Sequence, residues 1–444
     1  MVVDLLQWVL SAERGPNVDP SRVALLWPEG FWTYGELDRA VDVRARALTA
    51  EGIDAGAARP IVATNDVDGI VTLLATWRCG ATVAPLNAKL TPVEADRART
   101  ALAGVATDAQ VILWTSGTAG VPRGVALSFD NLFASTSAVG DRLGSSADDV
   151  WLASLSIAHV GGLALLVRAL MTGAAVVAAG AFDVEVASNL IDGRGLRPIT
   201  HVSLVPIQLL RLLDHRTEGP PSSFRCALIG GAHASADLVT RALDAGWPVS
   251  LTYGMTEMTS QVATASPAQV RAKAGAVGKP LEGVELKVEE GGEILLRGRT
   301  RATGYVGSDD ALADADGWYH TGDLGSIDEV GDVWVTGRRV DRIVSGGVTV
   351  DALEVEEALR AHPAVADACV VGVSDAEWGE LVGAYIVPAE GEFDLDAVDE
   401  SLRERLSAAK RPRLWSVEKA LPLNANGKVE RARVKASLEL GRSL

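Results

Sequence analysis

The stretch VILWTSGTAGVPRGVALSFDN, residues 111–131, constrains the fold of this chain more than any other. Residues 111–114 are apolar and read as a buried strand, and Val125-Ala126-Leu127 read as a second. Between them stand Thr115, Ser116, Gly117, Thr118, Ala119 and Gly120, a run too flexible to be core, closed by Val121-Pro122-Arg123-Gly124. Glycine lets backbone N–H groups come close to a bound anion, and hydroxyls add donors, so the loop suits a phosphate. Arg123 adds a fixed positive charge. The pattern differs from the P-loop, which needs GxxxxGK[ST] opening a helix; here a strand follows. Standing alone, the stretch also admits a Gly/Ser surface hairpin, the weaker of the two readings.

A chain of 444 residues exceeds one ordinary core, so two or more domains are expected. Strand patterns at 23–27, 60–64, 81–85, 150–156, 174–179, 200–205, 226–230 and 249–253 alternate with helical ones at 67–79, 162–171, 206–213 and 234–245. Thr33 followed by Glu36 is a capping box that starts another helix. Such alternation predicts parallel sheet. From 277 to 335 the helical period vanishes, and short strands at 285–288, 293–297 and 333–336 predict a β-rich subdomain. Gly337-Arg338-Arg339-Val340-Asp341-Arg342 is a charged break next to a glycine, and the domain boundary is placed there. Helices at 352–361 and 395–408, strands at 368–373 and 382–387 and a basic tail follow. The expected architecture is α/β: a large domain, 1–337, of parallel-rich sheets with helices and the β-rich subdomain, then a small mobile α+β domain, 338–444.

The net charge of −17 argues against a nucleic-acid partner. Cys79, Cys226 and Cys369 are scattered, with no CxxC pair, so a reducing, cytoplasmic compartment is expected, without a disulfide frame or zinc site. The first fifteen residues carry Asp4 and no basic segment before the apolar run, so they read as an amphipathic helix rather than a leader. The most apolar window, 161–180, is broken by Arg168 and glycines and reads as a buried helix and strand, not a membrane span.

Five further motifs accompany the loop. Tyr253-Gly254-Met255-Thr256-Glu257 ends a strand, at the carboxyl end where α/β proteins bind ligands. Gly230-Gly231-Ala232 ends another strand. GWYHTGD, 317–323, precedes Gly337-Arg338, and LPLNANGKVER, 421–431, presents Lys428. Together, in their order and spacing along the chain, they resemble the adenylate-forming superfamily of acyl- and aryl-CoA ligases, luciferases and peptide-synthetase adenylation domains, over essentially the whole chain. The resemblance implies that residues 115–118 and Gly120 hold ATP phosphate and that Gly230, Gly231 and Ala232 approach adenine. It implies that Tyr253 stacks on adenine beside Gly254, Thr256 contacts the α-phosphate and Glu257 holds Mg²⁺. It further implies that Asp323 and Arg338 bind ribose and that Lys428 bridges the acyl carboxylate and α-phosphate. Arg123 stands where that family usually has Lys, and Val340 where it has a polar hinge residue. The implied reaction joins a carboxylic acid to ATP as an acyl-adenylate, then transfers the acyl group to CoA; the small domain rotates between the halves.

SIAHVGGL, 156–163, resembles the family's acyl-pocket motif, with His159 in the aromatic-or-His position and Arg168 nine residues on. His159 reads also as a core histidine, and Arg168 as a side chain snorkelling to the surface. In the sharper reading, His159, Gly254 and Arg168 line the acid pocket and Arg168 takes a second carboxylate. The short length and the HVGG…LLVRAL run resemble the o-succinylbenzoate–CoA ligases of menaquinone biosynthesis. Other aryl- or fatty-acyl-CoA ligases, an acyl-AMP ligase loading a carrier protein, and a non-catalytic nucleotide-binding paralogue stay open. A monomer and a homodimer are both compatible with the resemblance.

Overall fold

The computed structural model describes residues 1–444 other than 104, 106, 116–122, 309, 346–347, 376–377, 425–427 and 442–444. The chain forms two compact units: one of Met1–Lys287, Leu295–His320 and Ile327–Trp334, the other of Val288–Ile294, Thr321–Ser326 and Val335–Leu444.

The first unit holds an eight-stranded sheet in the order Ser260–Thr264, Val249–Met255, Cys226–Ile229, His201–Leu204, Val150–Leu152, Ala175–Val177, Val23–Trp27, Gly30–Thr33. Neighbours run parallel from Val249–Met255 to Val23–Trp27, and both edge pairs are antiparallel. Successive residues of a strand face opposite sides. One face therefore carries Leu152, Val202, Leu204, Ala227, Ile229, Val249 and Leu251, all in one apolar cluster. The other face carries Trp151, His201 and Cys226, which are register partners across three strands, and, further along, Ser203 and Ser250. A sheet buried on both faces ordinarily reads as unbroken aliphatic runs, so this polar row is unusual.

A five-stranded sheet of the same unit runs Gly304–Tyr305, Arg123–Leu127, Val111–Thr115, Thr82–Asn87, Ala58–Ala63. The strands flanking the glycine-rich loop pair antiparallel, with Thr115 opposite Arg123. The strand expected at 150–156 stops at Leu152. Asn65 takes over there: its amide donates to the carbonyls of Ala153 (2.9 Å) and Leu155 (2.7 Å) and accepts from Ile157 N–H (3.0 Å).

In the second unit, strands Val348–Asp351, Arg342–Ser345, Gly379–Pro388 and Val365–Asp375 are neighbours in that order, and Leu414–Val417 pairs parallel to Gly379–Pro388. Helices Ala352–Arg360 and Leu395–Arg405 bury Val355, Leu359, Val398 and Leu402 against Ile343, Val370 and Ile386. The stretch read as a basic tail contains helix Arg431–Gly441, whose Val434 and Leu438 pack on Cys369, Val371, Val373 and Tyr385. All three cysteines are free. Among the described residues, no helix is long and apolar enough to cross a membrane.

Candidate active site

Ser116, Gly117, Thr118 and Gly120 lie outside the described residues. Their flanks are defined: Thr115 Oγ1 donates to the Arg123 carbonyl, 3.4 Å, across the base of the hairpin. The Arg123 guanidinium lies over the Tyr305 ring, 3.6 Å from its centre, and 3.4 Å from Asp310 Oδ2. The Tyr305 hydroxyl in turn donates to Glu257 Oε1, 3.3 Å. Burial and the Glu257 charge both push the Tyr305 phenol upward, so it stays protonated and remains a donor. One aromatic ring thus joins the cation of the loop to the carboxylate of the second motif.

That motif sits where two parallel strands end side by side. Ile229 pairs with Leu251, which sets Gly230, Gly231 and Ala232 beside Thr252 and Tyr253. A Cβ on Gly230 would come within 2.6 Å of Thr252 Cγ2, and Gly231 has φ +78°, so both positions need glycine. Gly231 and Ala232 are exposed, and Tyr253 is buried. Thr256 and Glu257 open a short 3₁₀ turn, Thr256–Met258. They offer a hydroxyl and a carboxylate from adjacent residues. This oxygen-only pair fits Mg²⁺, which takes one or two carboxylates together with substrate phosphates.

His159 caps helix Val160–Met171, and its Nε2 lies 3.0 Å from Asn87 Nδ2. Arg168 sits nine residues along that helix, about 13 Å along its axis, so the two do not converge on one atom. The snorkelling alternative for Arg168 fails: its helix face turns to the sheet, and the residue is 2% exposed. The guanidinium stacks 4.4 Å over the Trp151 ring, and Nη1 donates to Gln261 Oε1, 3.2 Å. Gln261 is the register partner of Gly254. Nε of Arg168 and Nε1 of Trp151 are buried without a hydrogen-bond partner. Burial pulls the Arg168 pKa down to about 10, which leaves it a cation at neutral pH. His201 also stacks on Trp151, at 4.4 Å; burial, then Arg225 and Arg168, lower its pKa to about 3.

In the second unit Arg338 Nε meets Asp323 Oδ1 at 2.8 Å. Asp323, 4% exposed, lies on strand Tyr319–Ile327 rather than in a turn, and Arg338 ends strand Val333–Arg338. Lys428 is exposed, on a loop closed by Lys428 N–H to Asn424 Oδ1 (3.0 Å) and Asn424 N–H to the Lys428 carbonyl (2.8 Å). Three residues later Arg431 pairs with buried Glu356 (2.7 Å) and with Asp341 (3.3 Å), beside Val340. Sequence reasoning missed Tyr305, Gln261 and Trp151. Tyr305 alone left a local trace, an aromatic between Gly304 and Gly307.

The family model for AMP-binding enzyme matches residues 12–100 and 95–306, and that for the AMP-binding enzyme C-terminal domain matches 354–428. The chain belongs to the AMP-binding enzyme family, and its class is that of the AMP-forming acid–CoA ligases. The 2-succinylbenzoate–CoA ligase of Bacillus anthracis (strain A0248) is 38% identical over 344 residues, 75% of this chain and 70% of that protein. The o-succinylbenzoate CoA synthetase of Bacillus subtilis, solved with the acyl-adenylate intermediate OSB-AMP, superposes with TM-score 0.86 at 29% identity, covering 98% of each chain. Its complex with ATP and magnesium ion gives 0.84 at 29%, covering 97% of this chain and 99% of that one. ATP-bound MatB from Rhodopseudomonas palustris gives 0.87 at 26%, covering 98% and 99%. Backbone similarity alone therefore does not separate these relatives.

Proposed function

We propose that this protein is an o-succinylbenzoate–CoA ligase that forms an acyl-adenylate and then a CoA thioester. The observation that carries the choice of acid is Arg168. It is a buried cation with no carboxylate in salt-bridge contact among the described residues, Asp149 acting on it only through space, and its one hydrogen bond goes to a neutral amide. A buried charge with no carboxylate in contact is costly, and a substrate carboxylate replacing the Gln261 amide would supply one. o-Succinylbenzoate has two carboxylates, and activation of the aliphatic one leaves the aryl one for Arg168. The curated relatives named for this acid support the same reading.

In the first half-reaction a carboxylate oxygen bonds to the α-phosphorus of ATP as pyrophosphate leaves. No protein nucleophile is needed; positioning and charge neutralisation do the work. Ser116, Gly117, Thr118 and Gly120 cradle phosphate between Thr115 and Arg123, and Gly230, Gly231, Ala232, Tyr253 and Gly254 form the adenine side. Asp323 and Arg338 hold the ribose. Lys428, with Thr256 and Arg123, stabilises charge growing on the carboxylate and α-phosphate. Glu257 would hold Mg²⁺, which would supply positive charge to the ATP phosphates when bound. In the second half the CoA sulfur bonds to the acyl carbon, and AMP leaves. His159 lines the acid pocket with Gly254. The small domain, 338–444, carries Lys428, and the free cysteines favour a reducing, cytoplasmic setting.

The test is incubation with MgATP and CoA against o-succinylbenzoate, benzoate and a medium-chain fatty acid, read by mass spectrometry. Thioester and AMP from o-succinylbenzoate alone are expected. Thioester from another acid overturns the assignment, and adenylate without thioester favours carrier-protein loading.

A further inference from the structure

Among the described residues, three have positive φ without being glycine, and two of them are consecutive, just beyond the Glu257 motif: Thr259 at +54° and Ser260 at +89°. A β-branched residue in the left-handed region is a true outlier, held only where its surroundings over-determine it. Here they do. Thr259 is 0% exposed. Its N–H donates to the Thr256 carbonyl, 3.0 Å, and closes the turn that carries Glu257. Its Oγ1 donates to the Thr300 carbonyl, 2.6 Å, and its own carbonyl accepts from Ser135 Oγ, 2.5 Å. Ser135 is 1% exposed in helix Phe129–Leu143, where a buried serine needs a reason.

The strained pair also explains the glycine of the motif. A Cβ on Gly254 would lie 1.8 Å from the Ser260 carbonyl oxygen, so the backbone at 260 fills the space a side chain would take. The same turn is pinned from its other side, since Ala302 N–H donates to the Glu257 carbonyl, 2.8 Å, two residues from Thr300. Glu257 is thus aimed by a loop that cannot relax without losing both anchors.

We propose that Ser135 and Thr259 are positioning residues for the metal-binding carboxylate: they hold the strained 259–260 turn that fixes Glu257 towards the Mg²⁺ of MgATP. The proposal rests on the reading of Glu257 as the Mg²⁺ ligand and not on the choice of acid. Its test is ATP binding by calorimetry with no acid present, at a series of Mg²⁺ concentrations, with thermal melting alongside. Glu257→Gln defines the full loss of Mg²⁺-dependent binding. Ser135→Ala and Thr259→Val are expected to raise the half-saturating Mg²⁺ concentration at least about tenfold, with Mg²⁺-free ATP binding kept. Ser135→Cys, a weak donor of similar size, is expected to fall between serine and alanine. Should Thr259→Val not fold, Ser135→Ala decides. Wild-type Mg²⁺ dependence in a folded Ser135→Ala protein overturns the proposal, as does a wild-type protein that binds ATP independently of Mg²⁺. MgATP binding that follows the expected series, with no turnover of o-succinylbenzoate, overturns the acid and leaves this inference standing.

Discussion

Arg168 places a positive charge where the fold has excluded water. Its guanidinium stacks on Trp151 and donates to the neutral Gln261 amide, and Asp149 acts on it only through space, without a salt-bridge contact. Substitution by an apolar residue of similar length should therefore separate function from stability, because an uncompensated buried charge contributes little to folding. Arg168→Met is expected to raise KM for o-succinylbenzoate at least tenfold and leave the melting temperature within a few degrees of wild type. An equal loss with monocarboxylic acids would sink the pairing. Lys428 is exposed and its side chain is not part of any core, so Lys428→Ala is expected to keep stability and lower pyrophosphate–ATP exchange by roughly 10²-fold or more. His201 gives a pH signature. Its folded pKa of about 3 lies below its ordinary value of 6.5, so between those values the unfolded chain binds the extra proton. Stability from His201 is present above pH 6.5 and is lost as pH falls toward 3, by up to about 1.4 kcal/mol per pH unit. His201→Asn is expected to flatten that acid limb in urea melts at several pH values; an unchanged limb would remove His201 from it.

At the scale of elements, the capping boxes show what local chemistry announces and what packing hides. Thr33 and Glu36 were legible because an apolar stripe, Leu37, Val41, Ala45 and Leu48, follows them. The box of Thr91 and Glu94 has the same form, yet helix Pro92–Leu102 buries only Ala98 and Leu102, so no stripe marks it. Helix Phe129–Leu143 is concealed differently: its box is Ser128 and Asn131, and its inward face includes Asn131, Ser135 and Thr136, polar residues that mask the period. Their burial follows from distant partners; Asn131 donates to the carbonyls of Arg299 and Arg301 at 2.8 and 2.9 Å. Ser128→Ala is expected to cost about 1 kcal/mol, measured by denaturant melting, since it removes one cap acceptor. A loss near zero would mean that Asn131 alone holds the helix start.

Across the whole molecule, the motifs that specify chemistry were readable because each is continuous in sequence. Their links were not. Tyr305 joins Arg123 to Glu257 over sequence distances of 182 and 48 residues, and Gln261 meets Arg168 over 93. No periodicity carries such contacts. The units are also not two uninterrupted pieces of chain: Val288–Ile294 and Thr321–Ser326 belong with Val335–Leu444, and Asp323 thereby shares a unit with Arg338. Under the proposed function, the acid the enzyme activates carries two carboxylates. Pyrophosphate–ATP exchange, with CoA omitted, compares o-succinylbenzoate with its ring-carboxylate methyl ester, which differs only in the group assigned to Arg168. Exchange supported by the free diacid and at least tenfold weaker with the ester is the predicted result. Equal exchange with both would contradict the assignment of Arg168 and of the acid.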